Sequence, residues 1–187
     1  HQLTDDSENI SGRIKINLPA SSIGQDIVLP HIVEFMKLYP EVVCDLSFDD
    51  RNVSLVENGF DLGIGASINE DSRLIGRPLL HTSIGLYASV EYIERHGRPK
   101  SISELNQHQC LPVRSLTTGR MHKWRLKENE HTLLYEPQGN LIVNNFGAAK
   151  QATLMSAGIS CLGNWMFSEE LQKGTVLPVL SECWGEP

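Results

Sequence analysis

The side chains that could do chemistry in this 187-residue sequence are small hydroxyl and amide groups, placed where predicted strands give way to helices. Ser22 and Asn145 each begin a predicted helix. The first backbone N–H groups of a helix carry partial positive charge and favour an anion, and side chains placed there add directional hydrogen bonds. The pattern therefore indicates non-covalent recognition of a small organic anion.

Ligands of open parallel sheets collect outside the carboxyl ends of the strands, and this rule selects nine predicted ligand-contacting residues. They are Ala20, Ser21, Ser22, Ile23, Ala66, Ser67, Asn144, Asn145 and Phe146. Helix capping alone explains Ser22 and Asn145 equally well, and Phe146 is either a pocket wall or a core residue. We interpret Asp50 as a cap and favour a surface role for Arg114 over pairing with an anion.

Catalytic motifs are missing from the sequence. It contains no G-x-S-x-G elbow, phosphate-binding loop, H-E-x-x-H pair or C-x-x-C pair. The acidic pairs Glu128/Glu130 and Glu169/Glu170 are typical of solvated surface charge, and the seven histidines are dispersed. We therefore expect no enzyme activity, no metal and no cofactor.

The four cysteines, Cys44, Cys110, Cys161 and Cys183, are far apart, and three lie in apolar, strand-like contexts. Reduced core thiols are the favoured interpretation, and a redox switch is the alternative.

The formal net charge is -7, from 16 basic and 23 acidic side chains. The basic residues are scattered along the sequence, so we expect this chain alone not to bind DNA. No apolar run approaches the length of a membrane-spanning helix, and the first residues are polar and acidic. A cytoplasmic location without membrane contact is the resulting expectation.

Hydrophobic periodicity divides the first half of the chain into strands and helices. It predicts strands at 13–18, 42–48 and 60–65 and helices at 22–39 and 52–58, followed by an apolar stretch at 79–88. Strands that alternate with helices are typical of a parallel sheet covered by helices.

The second half continues in the same manner. Capping signals at Ser89 and Ser101 predict short helices, and Asn145 begins another that closes at Gly158. Strands are predicted at 109–114, 124–126, 133–134, 139–144, 159–163 and 176–180, with a largely helical segment at 165–173. The predicted fold class is α/β.

The segments resemble, in order and spacing, the effector-binding domain of LysR-type transcriptional regulators. The resemblance is carried by Gly12-Arg-Ile-Lys-Ile, Val56-Glu-Asn-Gly-Phe-Asp-Leu-Gly-Ile64, Gly76-Arg-Pro-Leu79, Trp124-Arg-Leu126 and Gly158-Ile159…Leu162-Gly-Asn-Trp165. Each piece alone is weakly specific, whereas their succession is specific to the family.

The resemblance implies two Rossmann-like lobes of the type 2 periplasmic-binding-protein-like fold, with a ligand cleft between them. Its expected boundaries are 1–11 for the end of a linker, 12–84 for lobe I and 85–187 for lobe II. Family members also carry an N-terminal winged helix-turn-helix, and a further strand and helix after the equivalent of Leu177–Leu180. Neither is in this sequence, so we expect lobe I to lack part of its sheet.

The resulting hypothesis is a ligand-sensing regulatory domain whose parent protein binds DNA. The resemblance also implies a homodimer or higher homo-oligomer, with 28–38 and 147–157 as candidate contact helices. The alternative is an extracytoplasmic solute-binding protein of a transporter, and an enzyme on the same fold is a third class that lacks a visible nucleophile.

Overall fold

A computed structural model describes residues 10–20, 23–49, 55–65, 74–79, 82–129 and 131–184. The chain divides into two compact units, unit 1 from His1 to Arg77 and unit 2 from Pro78 to Pro187. The boundary expected between residues 84 and 85 falls inside the first strand of unit 2. Across the described ranges, every helix is too short or too polar to cross a membrane.

Unit 1 is built on a parallel three-stranded sheet in the order β2-β1-β3. The strands are β1 (Gly12–Leu18), β2 (Val42–Phe48) and β3 (Leu62–Gly63), and β1 pairs in parallel with both neighbours. This confirms the predicted parallel pairing. The third strand is shorter than the predicted 60–65, although backbone bonds from Asp61 to Lys15 (2.9 Å) and from Ile64 to Asn17 (2.9 Å) continue the contact with β1.

The helix predicted over 22–39 begins with a π-helical segment, Ile23–Val28, and becomes α-helical only in α1 (Leu29–Leu38). Pro30 lies in the first turn of α1, where its missing N–H costs no helical hydrogen bond. None of the ten residues of α1 is buried, and Leu38 is 75% exposed. Residues 52–54 of the predicted 52–58 helix lie outside the described ranges, and 55–59 form a turn instead.

Unit 2 has a central strand flanked by two antiparallel neighbours. Its sheet has the order β7-β4-β8, formed by β4 (Ile84–Ser89), β7 (Ser160–Gly163) and β8 (Val176–Val179). The middle of β4 is fully buried at Leu86, Tyr87 and Ala88, as expected for a strand covered on both faces.

Helices cover this sheet where capping signals predicted them. α2 (Val90–His96) begins at Ser89, whose hydroxyl accepts a 3.0 Å bond from the backbone N of Tyr92. α3 spans Phe146–Leu154, and a 3₁₀ turn (Asn164–Phe167) leads into α4 (Ser168–Lys173). A 3₁₀ segment at Ser103–Gln107 follows the second capping signal.

A separate antiparallel pair, β5 (Trp124–Glu128) and β6 (His131–Tyr135), packs its buried Trp124 and Leu126 on the core. The strands predicted at 109–114 and 139–144 are wrong as regular strands, since only isolated pairs such as Val113 with Val143 form there. Pro112 explains part of this result because it has no N–H for a continuous ladder.

Candidate functional site

The start of α3 is the most completely described part of the predicted site. Asn145 is the N-cap, with extended backbone, and its Oδ1 accepts a 2.9 Å hydrogen bond from the backbone N of Ala148. Gly147 lies close to this cap, because a Cβ added there would be 2.9 Å from the same oxygen. The small residue therefore lets the cap form and keeps the helix start open.

The body of α3 is anchored so that its first turn has a fixed position. Ala149 and Ala152 are buried, which lets the helix approach the sheet closely. The Thr153 hydroxyl lies 2.7 Å from Ser160 Oγ and 2.9 Å from Ala149 O. On the outer side, Lys150 forms a 3.5 Å ion pair with Glu170 of α4.

A turn that follows Val113 faces the start of α3. The backbone N of Arg114 donates to Val143 O (2.7 Å), so the turn is joined to the segment that enters α3. The turn closes on itself, since the backbone N of Gly119 donates to Ser115 O (2.8 Å). Gly119 has a φ of +69°, a left-handed conformation that favours glycine.

Between this turn and α3 lies an open cavity of about 560 Å³, which we call the unit-2 pocket. Its lining residues are Arg114, Ser115, Leu116, Gly119, Ile142, Val143, Asn144 and Ala148. Arg114 is the charged residue among these lining residues, and the lining contains no carboxylate. Leu116 (75% exposed) and Ile142 (45% exposed) present apolar surface beside the polar groups. The pocket can therefore accommodate a molecule with one anionic end and an apolar body.

The structure brings part of the predicted site together in unit 2. Asn144 lines the unit-2 pocket, Asn145 caps the adjoining helix, and the Phe146 ring packs 5.4 Å from the ring of His122. In unit 1, Ala20 follows β1 and its carbonyl accepts a bond from Gln25 (3.3 Å), while Ile23 starts the π-helical segment. The other predicted contacts, Ser21, Ser22, Ala66 and Ser67, and the predicted cap Asp50, lie outside the described residues.

Sequence reasoning missed the 114–119 turn as a pocket wall and favoured a surface role for Arg114. The structure leaves Arg114 exposed, yet places it in the pocket lining. A signal was present in the sequence, because Ser115, Thr118 and Gly119 are typical turn residues. The Ser115 hydroxyl accepts a 3.2 Å bond from the backbone N of Thr118, as in such turns.

Two cysteines of unit 2, one buried and one partly buried, lie outside the lining of this pocket. Burial raises the pKa of the Cys110 thiol to about 11 and that of Cys161 to about 12. Thiols with such pKa values stay protonated near neutral pH and are poor nucleophiles, as expected for core cysteines. Within the described ranges, no group of three His, Cys, Asp or Glu residues could hold a metal ion.

Comparison with known proteins agrees with this architecture. The family model described as the LysR substrate binding domain matches residues 7–185. The HTH-type transcriptional regulator DmlR of Escherichia coli K12 is 29% identical over 98% of this chain and 59% of its own length. YcaN of the same organism, also an HTH-type transcriptional regulator, is 32% identical over 92% of this chain and 56% of its own length.

A solved structure extends the likeness to the fold. Full-length AphB from Vibrio cholerae, a virulence activator of the LTTR family, superposes with a TM-score of 0.82 at 25% identity. The match covers 94% of this chain and 59% of AphB, so the chain spans about three fifths of these longer proteins. Domains of this kind have the two-lobed, type 2 periplasmic-binding-protein-like α/β fold, which confirms the predicted fold class. The family match covers nearly the whole sequence, and the chain belongs to the LysR substrate-binding domain family.

Proposed function

We propose that this chain is the ligand-sensing part of a LysR-type transcriptional regulator and that a small organic anion binds in the unit-2 pocket. The observation that carries the ligand class is the combination of Arg114, Asn144 and the start of α3 around one cavity without a carboxylate. The positive end of the helix dipole at the start of α3 and the guanidinium of Arg114 both favour a carboxylate. Leu116 and Ile142 suit an apolar portion of the same molecule.

The regulatory role follows from the relatives rather than from the pocket. DmlR, YcaN and AphB are all transcriptional regulators, which does not favour the transporter alternative. On this proposal, the whole protein binds DNA through a winged helix-turn-helix outside this chain and works in the cytoplasm. The chain senses its ligand without catalysis. A ligand acts by binding one conformation of the regulator more tightly than another.

Self-association is part of the proposal, as in the predicted homodimer. α1 contributes exposed apolar residues to the surface of unit 1: Val33, Phe35, Met36 and Leu38 are 40–75% exposed. On unit 2, Met155 at the end of α3 is 79% exposed. Several exposed apolar residues on one helix favour contact with a second copy of the chain.

The ligand class is tested by thermal denaturation of the chain with a panel of mono- and dicarboxylates that carry two to eight carbons. A ligand at 100 times its dissociation constant should add about 2.7 kcal/mol to the free energy of unfolding. The Arg114→Gln variant should lose most of this gain. Arg120→Gln, which removes a cation outside the pocket lining, is the matched control and should keep it. A panel that leaves the melting temperature unchanged throughout would contradict the anion assignment.

A further inference from the structure

The unit-2 pocket contains an apolar residue that the local fold does not require. Apart from Leu116, which is 75% exposed, the turn at 115–119 consists of serine, threonine and glycine. The backbone N of Ser115 donates to Arg120 O (2.8 Å), and the backbone N of Thr118 donates to the Ser115 hydroxyl (3.2 Å). These bonds involve no side chain at position 116, so a polar residue there would leave the turn intact.

A second exposed aliphatic side chain, Ile142, lines the same cavity and belongs to the segment that enters α3. The two core clusters that the described residues of unit 2 form include neither Ile142 nor Leu116, whereas the neighbouring Val143 packs against one of them. Single exposed aliphatic residues are common on protein surfaces. Two of them in one cavity, outside the core, provide an apolar contact for a ligand.

The charge of the lining suits a ligand with one anionic group rather than two. Arg114 is the charged residue among the lining residues that the structure describes, so this lining offers a second carboxylate no cation of its own. A carboxylate that loses hydration against Leu116 and Ile142 would weaken binding, whereas a methyl group in that place would strengthen it. An ammonium group would also lack a partner there, because the described lining contains no carboxylate.

We propose that the ligand of the unit-2 pocket is a monocarboxylate with an apolar far end, and that Leu116 is the residue that selects it over dicarboxylates. This selectivity rests on the proposed function, in which Arg114 binds the carboxylate. The apolar end of the ligand then lies against Leu116 and Ile142. A cavity of about 560 Å³ is within the size range of small-molecule sites and admits an acid of about six carbons.

Three six-carbon acids that differ at the far end test the selectivity. Hexanoate ends in a methyl group, adipate in a second carboxylate and 6-aminohexanoate in an ammonium group. Calorimetric titration of the chain should show that adipate and 6-aminohexanoate bind about tenfold more weakly than hexanoate. Leu116→Ser should reduce this preference, and Leu116→Lys should reverse it in favour of adipate, because it adds a second cation. Leu134→Ser, at a position that is 61% exposed and outside the described lining, is the matched control and should keep the native preference.

The results also separate this selectivity from the proposed function. Adipate that binds through Arg114 as tightly as hexanoate, or more tightly, would overturn the selectivity and leave the anion site in place. A native preference for hexanoate in a Leu116→Lys variant with an unchanged melting temperature would do the same. If none of the six-carbon acids binds, the selectivity is overturned, and the wider panel of carboxylates decides the proposed function. Hexanoate that binds equally well to Arg114→Gln would overturn both.

Discussion

The side-chain oxygen of Asn145 accepts a 2.9 Å hydrogen bond from the backbone N of Ala148, a residue that also lines the unit-2 pocket. One side chain thus caps the start of α3 and bonds to a residue of the pocket lining. Loss of this cap should therefore lower both the stability and the ligand affinity. A change of its charge should alter the ligand affinity alone.

Asn145→Ala should lower the free energy of unfolding by about 1 kcal/mol, because an N-cap acceptor is lost. Asn145→Asp keeps an acceptor and should keep the stability, but its negative charge should weaken the binding of a carboxylate. Urea denaturation measures the first effect and calorimetric titration the second. Asn140→Ala, at an exposed position outside the pocket lining, is the control. Tighter carboxylate binding by Asn145→Asp would contradict the placement of the anion.

His108 should make stability depend on pH. Its Nδ1 lies 3.1 Å from the hydroxyl of Tyr92, which also accepts a 3.0 Å bond from the backbone N of Gln109. The Tyr92 hydroxyl proton is thus available for donation to an unprotonated Nδ1 of a neutral His108. Burial, with a smaller contribution from His96, lowers the pKa of His108 below its usual 6.5, and Glu104 opposes this shift more weakly.

The sign of the effect follows from proton binding. Below about pH 6.5 the unfolded chain binds a proton that the folded His108 resists, so stability is full above that pH and falls as the pH decreases. Urea denaturation at pH 7.5 and 5.5 should show a larger loss for the native sequence than for His108→Gln. His131→Gln, at an exposed position of β6, should behave like the native sequence. Equal losses for His108→Gln and the native sequence would rule out this role.

Gly85 is required by Trp184. A Cβ at position 85 would lie 2.5 Å from the Trp184 ring, which is held by a 2.9 Å bond from its Nε1 to Val179 O. Gly85→Ala should therefore cost about 1–3 kcal/mol through overpacking. In a Trp184→Ala background the same substitution should cost much less, because the obstructing ring is gone. A double-mutant cycle with denaturant unfolding measures the coupling, and additive costs would contradict the contact.

The exposed apolar residues of α1 should mediate self-association. Leu38→Lys changes a residue that is 75% exposed, so it should weaken a dimer without destabilising the fold. Ile75→Lys, at a unit-1 position that is 90% exposed, is the matched control. Light scattering over a concentration series should show loss of dimer for Leu38→Lys alone. A native chain that stays strictly monomeric at high concentration would contradict the dimer.

Local signals in the sequence predicted the elements whose stability is largely local. Ser89 and Asn145 cap α2 and α3 as predicted, because a cap needs only a side chain and the N–H groups two or three residues ahead. The parallel pairing of β1 with β2 and β3 also followed from the alternation of strand and helix. Of these elements, α3 has Asn145 as its N-cap, directly after Asn144.

The remaining features depend on contacts that no local pattern contains. The segment at 139–144 was predicted as a strand, but Gly139 packs against the Cys110 carbonyl, which an added Cβ would meet at 1.9 Å, and only Val143 pairs. The sequence favours a surface role for Arg114, because its position in the pocket lining depends on a non-local contact. That contact is the turn whose backbone bonds to Val143. The predicted contacts Ser22 and Ser67 stay predictions.

On the proposed function, a small carboxylate binds between the 114–119 turn and the start of α3. The most direct test of this claim is a backbone amide NMR titration with the carboxylate that most raises the melting temperature. We predict saturable shifts at Ser115, Asn144 and Ala148, absent in Arg114→Gln. Saturable shifts that cluster elsewhere, for example around Tyr92 and His108, and that persist in Arg114→Gln would contradict the claim.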